Sequence, residues 1–280
     1  MAAPVSRALR GVWRATVDLV LPLTCAGCGA PDHACCPTCR ASFGRPRLRR
    51  PAWTAVAAFP AAQPLPPTWS AADYSGRVRD LLVAYKDGDR RDLRPVLARA
   101  LAPVLVAAAD HAASAQAGGT GDTSDAYEPG DADDTPVLLV PMPTAPAARR
   151  RRGDAPLEDL LGVSAALLYR AGVHLSVEPA LRITRRIRDQ AHLDAHARMA
   201  NLHGAYAVTH PGLRGRRCVL VDDVVTTGAT LSEAVRALRS VGAEPLACAV
   251  LAVTPRTGGS VVRNSGLIPG VRGEGPAAFG

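Results

Sequence analysis

The chain has 280 residues, 48% of them hydrophobic and 21% charged, which leaves room for one large domain or two modest ones. That composition excludes collagen-like, wholly disordered and small disulfide-stapled chains. The formal charge of +8 favours polyanionic partners, nucleic acid and phosphate-bearing substrates alike.

Residues 1–20 are expected to form a leading amphipathic helix, capped by Ser6, with Leu9, Trp13, Val17 and Val20 on one stripe. A signal peptide is not expected, because Asp18 and Pro22 interrupt the apolar run. Residues 21–45 hold five of the seven cysteines. Cys25-Ala26-Gly27-Cys28 and Cys36-Pro37-Thr38-Cys39 make two C-x-x-C pairs. Each pair sits on a tight turn that lets both thiolates face one ion, so the four sulfurs complete a tetrahedral Zn2+ site. Sulfur in every position leaves none for water, so such a metal holds a fold and does no hydrolysis. Cys35 is a spare that could substitute for Cys36. Free thiols and a redox pair are the alternatives, and the second lacks the following βα pattern. Paired thiols of this kind point to a cytoplasmic protein.

Residues 46–110 read as a Pro-rich connector and a helical segment. Pro51, Pro60, Pro64, Pro66 and Pro67 break the longest uncharged stretch, so no membrane span is expected there. One strand is expected near Trp53–Phe59. Leu81, Leu82 and Tyr85, then Leu93, Val96, Leu97, Ala100 and Leu101, follow at helical spacing within 73–109. Residues 111–135 read as a disordered acidic insertion. The stretch 110–134 carries seven acids (Asp110, Asp122, Asp125, Glu128, Asp131, Asp133, Asp134) and no Lys or Arg. Taking those seven from the 25 acidic residues leaves 18 against 33 basic ones, a balance of +15 for the rest.

Residues 136–255 have an α/β texture. Val137–Val140 is an aliphatic strand stopped by Pro141 and Pro143, and Leu157–Ala171 is a helix closed by Gly172. Val173–Val177 is a further candidate strand, and residues 189–203 form a polar helix. Cys218–Val221 is a second aliphatic strand, Thr230–Val241 a helix closed by Gly242, and Leu246–Val253 a third strand. Strand and helix alternating at this range predict a parallel-rich sheet with flanking helices. Residues 256–280 read as a flexible tail.

The most informative stretch runs from Cys218 to Thr230. A buried strand delivers Asp222 and Asp223 to its C-terminal edge, where ligands of open α/β sheets sit. Thr226, Thr227, Gly228, Ala229 and Thr230 then open a helix, and backbone N–H groups, hydroxyls and the helix dipole there suit a phosphate dianion. The carboxylates suit ribose hydroxyls, or a Mg2+ bridging to a diphosphate. Neither a P-loop nor a dinucleotide fingerprint is present. The pattern resembles the binding loop of type I phosphoribosyltransferases. Together with the four-cysteine module, Tyr85-Lys86, the strand end Val140–Pro143, an arginine run, and Gln190, Leu193, Arg198 and Asn201, it is similar to the ComF/GntX family over about residues 20–254. Family members often carry Gly-Phe-Asn-Gln after the arginine run, where this chain reads Gly153-Asp154-Ala155-Pro156.

The resemblance implies a phosphoribosyltransferase-like domain that binds phosphoribosyl diphosphate or a nucleotide, with Mg2+. Its implied chemistry is displacement of diphosphate from C1 by a nitrogen acceptor through an oxocarbenium-like state, catalysed by positioning and charge stabilisation. Asp222 and Asp223 would hold ribose hydroxyls, the 226–230 loop the 5′-phosphate, and Arg149, Arg150, Arg151, Arg152 and Lys86 the diphosphate. The resemblance also leaves open a non-catalytic competence protein that handles single-stranded DNA with the DNA-uptake machinery, or a regulator that senses ribose phosphate.

Overall fold

The structure is a computed structural model that describes residues 23–49, 64–115, 136–145, 149, 153, 155–184 and 202–255. In chain order its elements are α1 (Pro37–Arg40), β1 (Arg47–Arg49), β2 (Thr68–Asp73), α2 (Gly76–Lys86), α3 (Arg94–Ser114), β3 (Leu138–Pro141), α4 (Pro156–Arg170) and β4 (Ser176–Val177). They are followed by β5 (Leu181–Ile183), β6 (Tyr206–Val208), β7 (Arg217–Val225), α5 (Ala229–Arg239) and β8 (Glu244–Val253).

The aliphatic runs expected as strands form the middle of a six-stranded sheet, ordered β1-β2-β8-β7-β3-β4. Every pairing in it is parallel except β1 with β2. Parallel strands of this sort are covered on both faces, which is why β7 and β8 read as continuous apolar runs. Side chains alternate across β7. Val219 and Val221 join one core with α2, α3 and α4, whereas Cys218 and Leu220 join a second core with α5 and the antiparallel β5–β6 pair.

The expected elements shift in several places. The strand expected at Cys218–Val221 runs on to Val225, because β8 pairs with it as far as Val225↔Val253. Helix α3 continues to Ser114, beyond the expected limit at 109, since Ala108, Ala109 and Ala112 remain buried. The stretch expected as connector supplies β1 and β2 to the same sheet. Strand β2 escapes an apolar-pattern reading because Thr68 and Ser70 are fully buried, with Thr68 Oγ1 donating to the Pro66 carbonyl and Ser70 Oγ accepting from Arg49 Nε. The candidate strand at Val173–Val177 shrinks to Ser176–Val177. Gly172 and Gly242 take φ of 80° after α4 and α5, the left-handed geometry that ends a helix. The helix expected in 6–20, the strand at Trp53–Phe59, residues 116–135, residues 189–201 and the 256–280 tail lie outside the described residues.

One helical stretch, Arg91–Ser114, is long and apolar enough to cross a membrane by length and composition. It is a core helix: Leu97, Leu101, Val104 and Leu105 have no exposure, and α3 packs on α4, β8 and β2.

Candidate functional site

The sheet topology makes a step. Strand β3 stops at the pairing Pro141↔Val221, and Met142 N donates to the Val221 carbonyl at 2.9 Å. Strand β7 continues, still held by β8 through Asp222↔Val250. Asp222 and Asp223 therefore stand beyond the end of one neighbour, at the carboxyl edge of a parallel sheet where ligands collect. A cleft of about 550 Å³ opens there, walled by Lys86 from α2, Pro143 and Thr144 after β3, Tyr206 from β6, and Asp222, Asp223, Thr226 and Thr230.

The two carboxylates are organised by backbone. Asp222 Oδ1 accepts from Asp223 N at 2.9 Å, and Asp223 Oδ1 accepts from Val224 N at 2.8 Å. The remaining Asp223 oxygen, Oδ2, meets Lys86 Nζ at 2.7 Å. Burial first, then the neighbouring Asp223 charge, pushes the Asp222 carboxyl up to about 8, with Lys86 pulling the other way. Burial works against the Lys86 ammonium, yet Asp223 and Asp222 overcome it and leave its pKa raised. The Tyr206 phenol is raised by burial and by Asp222. A carboxyl so close to neutrality is poised to exchange its proton for a cation.

The loop after the acids is shaped by Gly228, whose φ of 76° places it in the left-handed region as the residue before α5. Ala229 N donates to Thr227 Oγ1 at 3.4 Å, and the first turn of α5 carries no acidic residue. Its dipole is therefore unopposed by its own sequence, which favours an anion. Buried Leu231, Ala234, Val235 and Leu238 seat the helix on the sheet. Glu233, 4% exposed, accepts from Arg236 Nε and Nη2 and from Gly204 N, each at 2.8 Å. That carboxylate ties α5 to the turn leading into β6, and hence to Tyr206.

The structure thus brings Lys86, Asp222, Asp223, Thr226 and Thr230 into one cleft, with Thr227, Gly228 and Ala229 forming the adjoining turn. Arg149 is elsewhere: it is exposed, pairs with Glu158 at 3.6 Å and does not line the cleft. Arg150, Arg151 and Arg152 lie outside the described residues. Sequence reasoning missed Tyr74, Thr144 and Tyr206 as cleft residues. Tyrosine scarcity was the available signal, since the chain has five.

A second cluster unites Cys25, Cys28, Cys36 and Cys39, whose sulfurs all lie within 4.8 Å of one another. The donor set fits a tetrahedral thiolate metal. Cys36 N donates to Cys25 Sγ at 3.3 Å and Cys39 N to Cys36 Sγ at 3.5 Å, which favours thiolates. Burial raises the Cys25 pKa, but backbone N–H groups of Cys36, Gly27 and Cys28 outweigh it and bring the thiol down to about 6. Cys35 stays outside the cluster, its thiol pushed up to about 11 by burial and by Cys25. Cys25, Cys36 and Cys39 share a hydrophobic core with Leu81 and Leu82 of α2, so the module is packed onto the helix that carries Lys86.

Residues 183–264 match a family model described as the phosphoribosyl transferase domain. The chain is 45% identical over 53 residues to the transcriptional regulator GfcR of Haloferax volcanii, covering 19% of this chain and 25% of that protein. It is 43% identical over 54 residues to the GfcR of Halobacterium salinarum, covering 19% and 26%, and 55% identical over 40 residues to GfcR 1 of Methanosarcina barkeri, covering 14% and 20%. The matches thus span about a quarter or less of each relative's length. The mostly parallel sheet with flanking helices, the matched domain and the four-cysteine cluster together define a phosphoribosyltransferase-type fold with an added cysteine module.

Proposed function

We propose that this chain is a cytoplasmic, ComF/GntX-type phosphoribosyltransferase-like protein whose cleft binds phosphoribosyl diphosphate or a nucleotide. The observation that carries the reading is the acidic pair on β7, standing past the end of β3 and followed by a left-handed glycine and an uncompensated helix N-terminus. That order suits ribose hydroxyls on Asp222 and Asp223 and a 5′-phosphate on residues 226–230. Thr144 and Lys86 line the same cleft, and on this reading they would meet a diphosphate on C1. Mg2+, when bound, supplies positive charge to the ribose and diphosphate oxygens. Transfer would break the C1–O bond, with the electron pair leaving on diphosphate, while a nitrogen acceptor forms the C1–N bond and gives up a proton. The chain's part is to fix the sugar and shield the developing charge. The cysteine module would hold one structural Zn2+, and paired thiols of that kind suit a reducing compartment.

Calorimetry with phosphoribosyl diphosphate and Mg2+, ribose 5-phosphate and nucleoside monophosphates tests the reading. Asp222→Asn and Asp223→Asn should each weaken binding about tenfold or more. Equal affinity in wild type and both variants would remove the assignment. Diphosphate release with a panel of nitrogen bases separates enzyme from binder. A sensing regulator is the second reading, favoured by the regulator names of the matched relatives; it expects tight binding with no release. The arginine run distinguishes a third role. Replacing Arg150, Arg151 and Arg152 by glutamine should lower phosphoribosyl diphosphate affinity more than nucleoside monophosphate affinity, whereas Arg149→Gln, at a residue paired with Glu158 outside the cleft, should change neither. Selective loss of single-stranded DNA binding, with a salt slope reduced by about 0.7 per lost phosphate contact, would favour DNA handling instead.

A further inference from the structure

Lys86 is the only lysine among the chain's 33 lysines and arginines, and it is the cation that meets Asp223. As the last residue of α2 it is favoured by the helix dipole, but an arginine would be favoured equally. The distinction lies in what each cation does to a carboxylate. A guanidinium grips two oxygens through a rigid fork, whereas an ammonium is a compact point charge on a flexible stem. Asp223 Oδ1 is already taken by Val224 N and Asp222 Oδ1 by Asp223 N. Of the two oxygens left, Lys86 meets one, Asp223 Oδ2, at 2.7 Å. That contact is half open: the lysine side chain is 48% exposed and Asp223 20%, so it is held loosely enough to be displaced.

The backbone beneath it does not share that freedom. Val78, Leu81, Leu82 and Tyr85 of α2 are buried, and Tyr85 Oη donates to the Pro156 carbonyl at 2.8 Å. The helix that carries position 86 is thus anchored up to the residue before it. Thr144 lines the same cleft as Lys86 and the two acids.

We propose that Lys86 is an exchangeable counter-ion of the acidic pair. Without ligand it neutralises Asp223. When a divalent cation engages the carboxylates together with phosphoribosyl diphosphate, the ammonium yields Asp223 and transfers its charge to the diphosphate. The inference rests on the reading of the cleft given above, and it assigns to Lys86 two successive partners in place of one. No bond is made or broken; one ion pair is replaced by another.

The test uses the full chain with three probes: Mn2+ alone followed by electron paramagnetic resonance, ribose 5-phosphate alone, and phosphoribosyl diphosphate with Mg2+ followed by calorimetry. Lys86→Met should bind Mn2+ about tenfold more tightly than wild type, because the competing cation is gone. The same variant should lose about tenfold in phosphoribosyl diphosphate affinity and keep its ribose 5-phosphate affinity. Lys86→Arg should bind Mn2+ more weakly than Lys86→Met, since the charge is retained. A readout on the unmutated chain guards against a folding defect. Reductive 13C-methylation of the single lysine side chain yields a resonance that should shift with phosphoribosyl diphosphate and Mg2+ and stay put with ribose 5-phosphate. Unchanged Mn2+ affinity in Lys86→Met, or an unmoved resonance at saturating phosphoribosyl diphosphate, overturns the exchange. Wild type that binds Mn2+ but no phosphoribosyl diphosphate overturns the reading of the cleft, while the Mn2+ comparison still reports on Lys86.

Discussion

Replacing Asp222 by asparagine should make the protein more stable relative to wild type as pH rises from about 5 to about 9. In the fold, burial and Asp223 lift this carboxyl from 3.8 to about 8, so between about pH 5 and about pH 8 the native chain retains a proton that the unfolded chain has lost. The unfolded state binds fewer protons there, and the wild type loses stability as pH climbs towards the folded pKa. Below about 4 the group is protonated in both states, and above about 8 it is ionised in both, so the slope vanishes at each end. Four units at 1.36 kcal/mol set a ceiling of about 6 kcal/mol. The proton is shared with Asp223, Lys86 lies opposite, and the cleft admits water, so about 2–3 kcal/mol is the expected difference. Asparagine keeps the shape and the acceptor for Asp223 N but cannot ionise. Urea denaturation of both proteins at about pH 5, 7 and 9 measures the gap. A variant-minus-wild-type stability that stays constant across that range, or falls as pH rises, refutes the reasoning.

Two further perturbations probe the supports of the cleft. Metal analysis of protein purified without chelator should find one zinc per chain, and Cys28→Ser should lose it, along with a share of the roughly 10 kcal/mol or more that such sites supply; zinc retained in the variant would dismiss the four-sulfur site. Glu233→Ala strands Arg236 and the Gly204 amide, and should destabilise the fold by about 3 kcal/mol in denaturant titrations, a loss below about 0.5 kcal/mol being incompatible with a buried tie.

The middle of the sheet was legible because β3, β7 and β8 are aliphatic runs long enough to be buried on both faces. The acidic pair and Gly228 were legible for the same reason: the strand before them fixes where its edge must be. Strands β1 and β2 were not. Thr68 and Ser70 look like surface residues, and only their partners in the fold, the nearby Pro66 carbonyl and the distant Arg49, reveal why they are buried. Nor could periodicity bring Lys86 to Asp223, 137 positions away; lysine's rarity hinted at importance without naming the partner. Of the arginine run expected on the diphosphate, only Arg149 lies among the described residues, and it pairs on the surface with Glu158, a contact that depends on where α4 begins.

Gly27 has almost no room around it. A Cβ at that position would lie 3.0 Å from Cys39 Sγ and 3.3 Å from Leu81 Cγ, so the cysteine knuckle and α2 press on each other without even a methyl group between them. Two surfaces in such contact unravel as one cooperative unit. Under the proposed reading, loss of the metal is therefore expected to reach the lysine at the far end of α2 through this contact and the core around it, as a slackened grip on sugar phosphate.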